Sequence, residues 1–196
     1  GDVYFKDRRI CAGNLVYKNA IKKAKQEDMR IVLDGVFNHT GADSKYFNKF
    51  GHYDSVGAYQ SQKSPYYTWY DFSEYPDKYS CWWGIDTLPQ IKDNNQSFSK
   101  YIAGKGGIIE KYMKMGILGF RLDVVDELDE KTLLSICKAA RGIKPNCLLI
   151  GEVWEDATNK IAYGSRREYF LGNELDSVMN YPLRDALVAA VLSRIT

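Results

Sequence analysis

Apolar residues recur at helical spacing over residues 15–26, where Leu15, Val16, Ala20, Ile21 and Ala24 are separated by charged positions, and the spacing predicts a helix there. Met29-Arg30-Ile31-Val32-Leu33 reads as a short buried strand that ends at Asp34. From Thr40 to Lys92 neither period persists, and Gly, Ser, Asp, Pro and Tyr dominate without a repeat. A loop of about 50 residues far exceeds the usual few, so this stretch is a functional excursion or a small subdomain. Phe98, Tyr101, Ile102, Ile109, Tyr112 and Met113 then restore helical spacing over one or two helices, weakened by Gly104, Gly106 and Gly107. Gly116–Leu122 reads as a strand ending at Asp123. Asp129 is placed to cap a helix that buries Leu133, Leu134 and Cys137 and closes at Gly142, with Pro145 beyond. Cys147–Ile150 is a further strand, ending at Glu152. A loop to about Asn173, a fourth strand over Leu175–Met179 and a helix with Pro182 in its first turn complete the order. That helix sets Leu183, Ala186, Leu187, Ala190 and Val191 on one side.

Buried strands alternating with helices predict an α/β fold with a parallel sheet. Sites in such folds lie beyond the C-terminal strand ends. Three strands here end in acids: Asp34, Asp123 and Glu152. Asp123 and Glu152 stand about one βα repeat apart, so adjacent strands would bring them within several ångströms. Paired carboxylates about 5–5.5 Å apart perform retaining glycoside hydrolysis. The plainer alternative is a pair of helix-capping acids, and spacing alone leaves both open. Arg121, two residues before Asp123, shares its face of the strand and would hold a nucleophile ionised, or form a structural ion pair. Asn38 and His39 place an amide and an imidazole at the same mouth.

Composition narrows the class. Forty-five per cent of residues are apolar and 27% charged, the balance of a globular chain, and the net charge of +2 gives no electrostatic case for nucleic acid. Lys22, Lys23 and Lys25 read as the wet face of a helix. No apolar run approaches the roughly 20 residues of a membrane span. Four scattered cysteines without C-x-x-C and two histidines argue against structural zinc. The scattered thiols and the lack of a visible leader suggest a cytoplasmic setting. Aromatic residues reach 14%, many of them in the excursion, where flat faces with polar tips suit sugar rings or the packing of an irregular loop.

Asp34-Gly-Val-Phe-Asn-His39, Gly119-Phe-Arg-Leu-Asp-Val-Val-Asp126 and Gly151-Glu-Val-Trp-Glu-Asp-Ala157 resemble, in order, the first three sequence blocks of the alpha-amylase family of glycoside hydrolases. Leu88-Pro-Gln-Ile-Lys92 resembles the short block near the end of that family's domain B. Asp123-Val-Val-Asp-Glu-Leu128 and Asp176-Ser-Val-Met-Asn-Tyr-Pro182 look closest to the neopullulanase, cyclomaltodextrinase and maltogenic amylase branch. The resemblance implies part of a (β/α)8 TIM barrel, about strands 3 to 6. It divides the chain into a barrel segment at 1–39, a domain B-like excursion at 40–92 and a second barrel segment at 93–196. It matches Asp123 to the nucleophile and Glu152 to the acid/base. His39 and Arg121 match residues at the reacting sugar, and Asp34 and Asn38 match structural residues of the strand end. Trp154, in the third block, joins Tyr66, Tyr67, Trp69, Trp82 and Trp83 as candidates for stacking on glucose rings; packing of the excursion is the alternative for the last five. In some members the residue matching Asn38 also ligates calcium, but no further ligands are identifiable here.

A complete barrel takes about 250 residues, and the chain without its excursion holds about four and a half βα units. The family's fourth block, with a His-Asp pair that carries the third catalytic carboxylate, has no match. The chain is therefore expected to act on α-glucans, maltooligosaccharides or cyclodextrins as part of a larger domain, and to be inactive or weak alone. Its open sheet edges are expected to favour self-association. Transglycosylation on the same fold and a non-catalytic relative kept for binding or assembly are the competing readings.

Overall fold

The computed structural model describes residues 7–192, with side chains from residue 15 onward. Cys11 lies outside the described side chains. The elements run α1 (Asp7–Gln26), β1 (Val32–Gly35), β2 (Phe72–Glu74), β3 (Lys78–Tyr79), α2 (Gln96–Ala103), α3 (Ile108–Met115), β4 (Gly119–Leu122), α4 (Glu130–Ile143), β5 (Leu148–Gly151), β6 (Ile161–Ala162), β7 (Ser165–Arg166), β8 (Ser177–Val178) and α5 (Tyr181–Val191). Strands β1, β4, β5 and β8 form one parallel sheet in that order, so the alternation read from the sequence gives the expected α/β architecture.

The register aligns Leu33, Phe120 and Leu149 in one row and Asp34, Arg121 and Ile150 in the next. Side chains alternate across a strand. The first row turns toward the helices, where Phe120 (2% exposed) and Leu149 (0%) meet Ile109, Met113, Leu133 and Ile136. The second row turns to the opposite face and puts Arg121 there, with Asp123 two residues on. Gly119 permits the close pairing of β4 with β5, since a Cβ on it would lie 1.8 Å from the Leu148 carbonyl oxygen.

The one or two helices expected over 98–113 are two, α2 and α3, parted at Gly104–Gly107. Asp129 caps α4 as expected, its Oδ1 accepting from the Thr132 N–H at 3.0 Å. Three expectations fail, for Leu134, for the end of α4 and for the burial of β1. Leu134 is 39% exposed, and Ile136 fills the core position instead. The sequence has apolar residues at both places, but only the 133–136–137–140 row faces the sheet. Gly142 does not close α4, which runs one residue further. The apolar side of α5 is not buried: Leu183, Leu187 and Val191 are 52%, 56% and 81% exposed. Leu15 and Val16 of α1 are likewise exposed, and among its described side chains only Ile21 is buried in the core. In α1 the stripe meets α3 through Ile21 and the edge-on contact of Tyr17 with Tyr112, and in α5 the stripe is present but among the described residues nothing covers it. Strand β1 is half-buried rather than buried, because it forms one edge of the described sheet.

The excursion leaves and rejoins the sheet through a hydrogen-bonded neck. The Thr40, Ala42 and Ile91 N–H groups donate to the Pro89, Thr87 and Asn38 carbonyls at 3.0, 2.8 and 2.9 Å. Inside it, Phe47 (0% exposed) is ringed by Tyr59, Tyr70, Phe72 and Tyr79. Buried Asn48 ties the surrounding loop together by donating to the Tyr53 and Ser55 carbonyls and to Gln60. No alternation of apolar and polar residues marks the β6–β7 hairpin, each strand of which is two residues long. No described helix is long and apolar enough to cross a membrane. Cys81, Cys137 and Cys147 are free thiols.

Candidate active site

The ends of β1, β4 and β5 converge because the ladder continues past each strand. The Asp123 N–H donates to the Gly35 carbonyl at 3.1 Å, and the Glu152 N–H to the Leu122 carbonyl at 2.9 Å. Arg121 then reaches all three strand-end acids. Its Nη1 donates to Asp34 Oδ1 at 2.7 Å and to Asp123 Oδ1 at 2.6 Å, and its Nη2 pairs with Glu152 Oε1 at 2.6 Å. The other Glu152 oxygen accepts from the Val124 N–H at 2.9 Å. That donor is aimed by a left-handed backbone at Val124 (φ 38°, ψ 53°). A β-branched residue rarely takes this conformation, so no sequence rule would have found it.

Burial pushes the Asp123 carboxyl above the usual range, with the Glu152 charge adding to it and Arg121 opposing it. Burial also pushes Glu152 up, but the Val124 N–H, the Trp154 side chain and Arg121 together outweigh it and hold Glu152 below the usual range. This order is the reverse of what a nucleophile Asp and an acid Glu require. Burial lowers the His39 imidazole, with Asp123 opposing.

His39 stacks on Trp82 (centroids 5.3 Å apart, planes at 26°), and Trp82 stacks on Trp83 (5.3 Å, 24°). Trp154 stands edge-on to Trp82 and Trp83, at 6.5 and 5.3 Å. The structure therefore brings Trp82, Trp83 and Trp154 to the mouth beside His39 and Glu152. It does not bring Tyr66, Tyr67 or Trp69 there. Trp69 is 2% exposed against Tyr46, Tyr66 and Phe98, and Tyr67 stacks on Phe72. Those rings pack the excursion, the alternative that composition had left open.

Asn38 is buried, with its Nδ2 at 3.5 Å from His39 Nδ1. Among the described residues no three His, Cys, Asp or Glu side chains converge as metal ligands.

Three comparisons bear on this arrangement. The family model for the alpha amylase catalytic domain matches residues 14–194. An amylopullulanase from Thermoanaerobacterium saccharolyticum is 35% identical over 191 residues, which are 88% of this chain and 14% of that protein. A cyclomaltodextrinase from Thermoanaerobacter pseudethanolicus is 29% identical over 181 residues, 87% of this chain and 28% of that one. The solved type III pullulan hydrolase from Thermococcus kodakarensis superposes with a TM-score of 0.72 at 27% identity, over 90% of this chain and 29% of its own. The chain thus spans well under a third of each of these relatives.

Proposed function

From the premise that the chain belongs to the alpha-amylase catalytic-domain family, as the match over residues 14–194 establishes, we propose that it supplies the nucleophile and the acid/base of a retaining glycoside hydrolase cleaving α-glucosidic bonds in α-glucans. The observation that carries this is Arg121 holding Asp34, Asp123 and Glu152 at the ends of three adjacent parallel strands. In the first step Glu152, protonated, donates to the glycosidic oxygen while Asp123 attacks the anomeric carbon through an oxocarbenium-like transition state. In the second, Glu152 takes a proton from water, which attacks the glycosyl-enzyme and releases a sugar of retained α configuration.

Glu152 must gain a proton for the first step, although the open site holds it low. Two neighbouring carboxylates titrate as a pair. A sugar ring in the cleft removes water from Glu152 and strengthens the desolvation that already pushes it up. Asp123 meanwhile keeps its bond to Arg121. Because Arg121 uses one amino group for Asp123 and the other for Glu152, the proton can change carboxylates without either losing its cation.

Residues 1–196 contain no His-Asp pair, the motif that carries the family's third catalytic carboxylate. On that ground the chain by itself turns over weakly or not at all. A longer form of the chain extended to supply that pair is the one expected to be active. The exposed apolar side of α5 and the edge of β1 suit a second copy of this chain when nothing else covers them.

The test is hydrolysis of maltotriose, pullulan and β-cyclodextrin by both forms. The longer form is expected to be active and to lose about 10²–10⁴-fold with Glu152→Gln and at least as much with Asp123→Asn. Full activity of either variant would overturn the residue roles. Full activity of the 196-residue chain would overturn its dependence on the third carboxylate.

A further inference from the structure

The chain that follows Glu152 folds back over the chain that follows Asp123. Arg167 Nη2 donates to the Asp126 carbonyl at 2.9 Å and to the Leu128 carbonyl at 3.2 Å. The Tyr169 hydroxyl donates to Asp126 Oδ1 at 2.5 Å, and Lys160 Nζ pairs with Asp126 Oδ2 at 3.2 Å. Lys160 and Arg167 flank the β6–β7 hairpin and are joined at its base, where the Arg167 N–H donates to the Lys160 carbonyl at 2.8 Å. Arg167 is 8% exposed and Tyr169 1%, so both are buried against the turn rather than laid on its surface. Burying an arginine is costly unless its charge is answered, and Glu174, also buried, answers it. Burial and the bond to Asp126 push the Tyr169 phenol well above its usual range, so it stays a donor.

Val124 stands just before the gripped residues, and its left-handed backbone (φ 38°, ψ 53°) aims its N–H at Glu152. Such a conformation persists in a β-branched residue only where the surroundings over-determine it. The β4–β5 ladder fixes the chain before Val124, and Arg167 and Tyr169 fix it after. We propose that Arg167 and Tyr169 are positioning residues that, by gripping residues 126–128, hold the Val124 N–H on Glu152. They act through the turn rather than on the reacting atoms. The proposal rests on the reading of Glu152 above and deepens it. Without the grip the turn relaxes toward a backbone that valine prefers, and the ionised Glu152 loses a donor. Its carboxyl then titrates at a higher pH. The other groups that face Glu152 stay in place: Trp154, and Arg121 with Asp123 and Asp34 on the same guanidinium.

The experiment follows the Val124 amide and the Glu152 carboxyl by NMR in the 196-residue chain, with Arg167→Met, Arg167→Lys and Tyr169→Phe, while circular dichroism confirms the fold. Arg167→Met is expected to speed exchange of the Val124 amide about 10-fold relative to amides inside α4, and to move the Glu152 titration to higher pH. Arg167→Lys keeps a cation able to donate to both carbonyls and should restore most of the parent behaviour. Tyr169→Phe keeps the ring, loses one bond and should fall between; if Arg167→Met does not fold, this variant decides. In the longer form acting on maltotriose, Arg167→Met is expected to lower kcat roughly 10-fold with little change in KM, and to move the alkaline limb of its pH profile upward. Folded variants whose Val124 exchange and Glu152 titration match the parent overturn the proposal. A fall in kcat with an unmoved limb is what a merely structural role gives, and overturns it too. If exchange and titration both move while hydrolysis by the longer form ignores Glu152→Gln, the acid/base assignment falls and the grip on the turn stands.

Discussion

Three carboxylates within 2.7 Å of one guanidinium concentrate more negative charge than the strand ends could otherwise hold, so the cost of losing that cation falls on all of them. Arg121→Ala is expected to destabilise the fold by on the order of 2 kcal/mol at pH 7, less than a fully buried pair would lose because Arg121 is a quarter exposed. The pH dependence has a definite sign. Glu152 is held below its ordinary 4.5, so its share of stability is present above that value and fades as pH falls through its folded pKa. Asp123, pushed up by burial, gives up its charge before Glu152 does. The gap between parent and Arg121→Ala should therefore be widest near neutrality and narrow below about pH 4.5, as read by urea unfolding at pH 7 and pH 4. At this scale the sequence showed the acids and the arginine, because they end or sit within strands whose period is plain. It did not show the Val124 N–H, which depends on a backbone conformation that valine disfavours. Nor could it separate Trp83 from Trp69, since composition says that a ring is present and only packing says which face is free.

The secondary-structure elements were legible where a period ran for several turns. In α4 the cap residue follows from local chemistry, while the apolar row takes Ile136 in place of Leu134 and the helix runs one residue past Gly142. Asp129→Ala removes the bond to the Thr132 N–H and should cost about 1 kcal/mol, seen as a lowered urea midpoint with an unchanged denaturant slope. Equal stability would mean that water replaces the cap. The β6–β7 hairpin was invisible because two-residue strands carry no alternation to read. In α5 the opposite happened. The sequence pattern was clear, but a hydrophobic stripe states only that a partner is needed and never names the partner.

Across the whole molecule, parallel architecture followed from the alternation of elements, while the order and register of strands had to come from the structure. The excursion is held by an aromatic cluster continuous with the sheet–helix core, since Trp69 packs on Phe98 and Tyr101 of α2. The four-stranded sheet leaves β1 open on one side among the described residues, and α5 with the residue that follows it exposes the large apolar side chains Leu183, Leu187, Val188, Val191 and Leu192. Sedimentation of the 196-residue chain should therefore show concentration-dependent association, and Leu187→Lys with Val191→Lys should shift it toward monomer. A parent that stays monomeric at high concentration would remove the case for a second copy as the occupant.

The neck between residues 38–42 and 87–91 makes the excursion an exchangeable cassette. Its two ends are paired side by side, and inside it Tyr46 and Trp69 pack on Tyr101 and Phe98 of α2, so the rest of the fold registers the closure and those ring contacts rather than the length of what lies beyond them. A cassette of different size or chemistry cut at that neck could be grafted without disturbing the pairing of β1 with β4. The chemistry stays with Arg121, Asp123 and Glu152, while Trp82 and Trp83 travel with the cassette. Substrate preference and bond-breaking are thereby inherited on separable stretches of one chain.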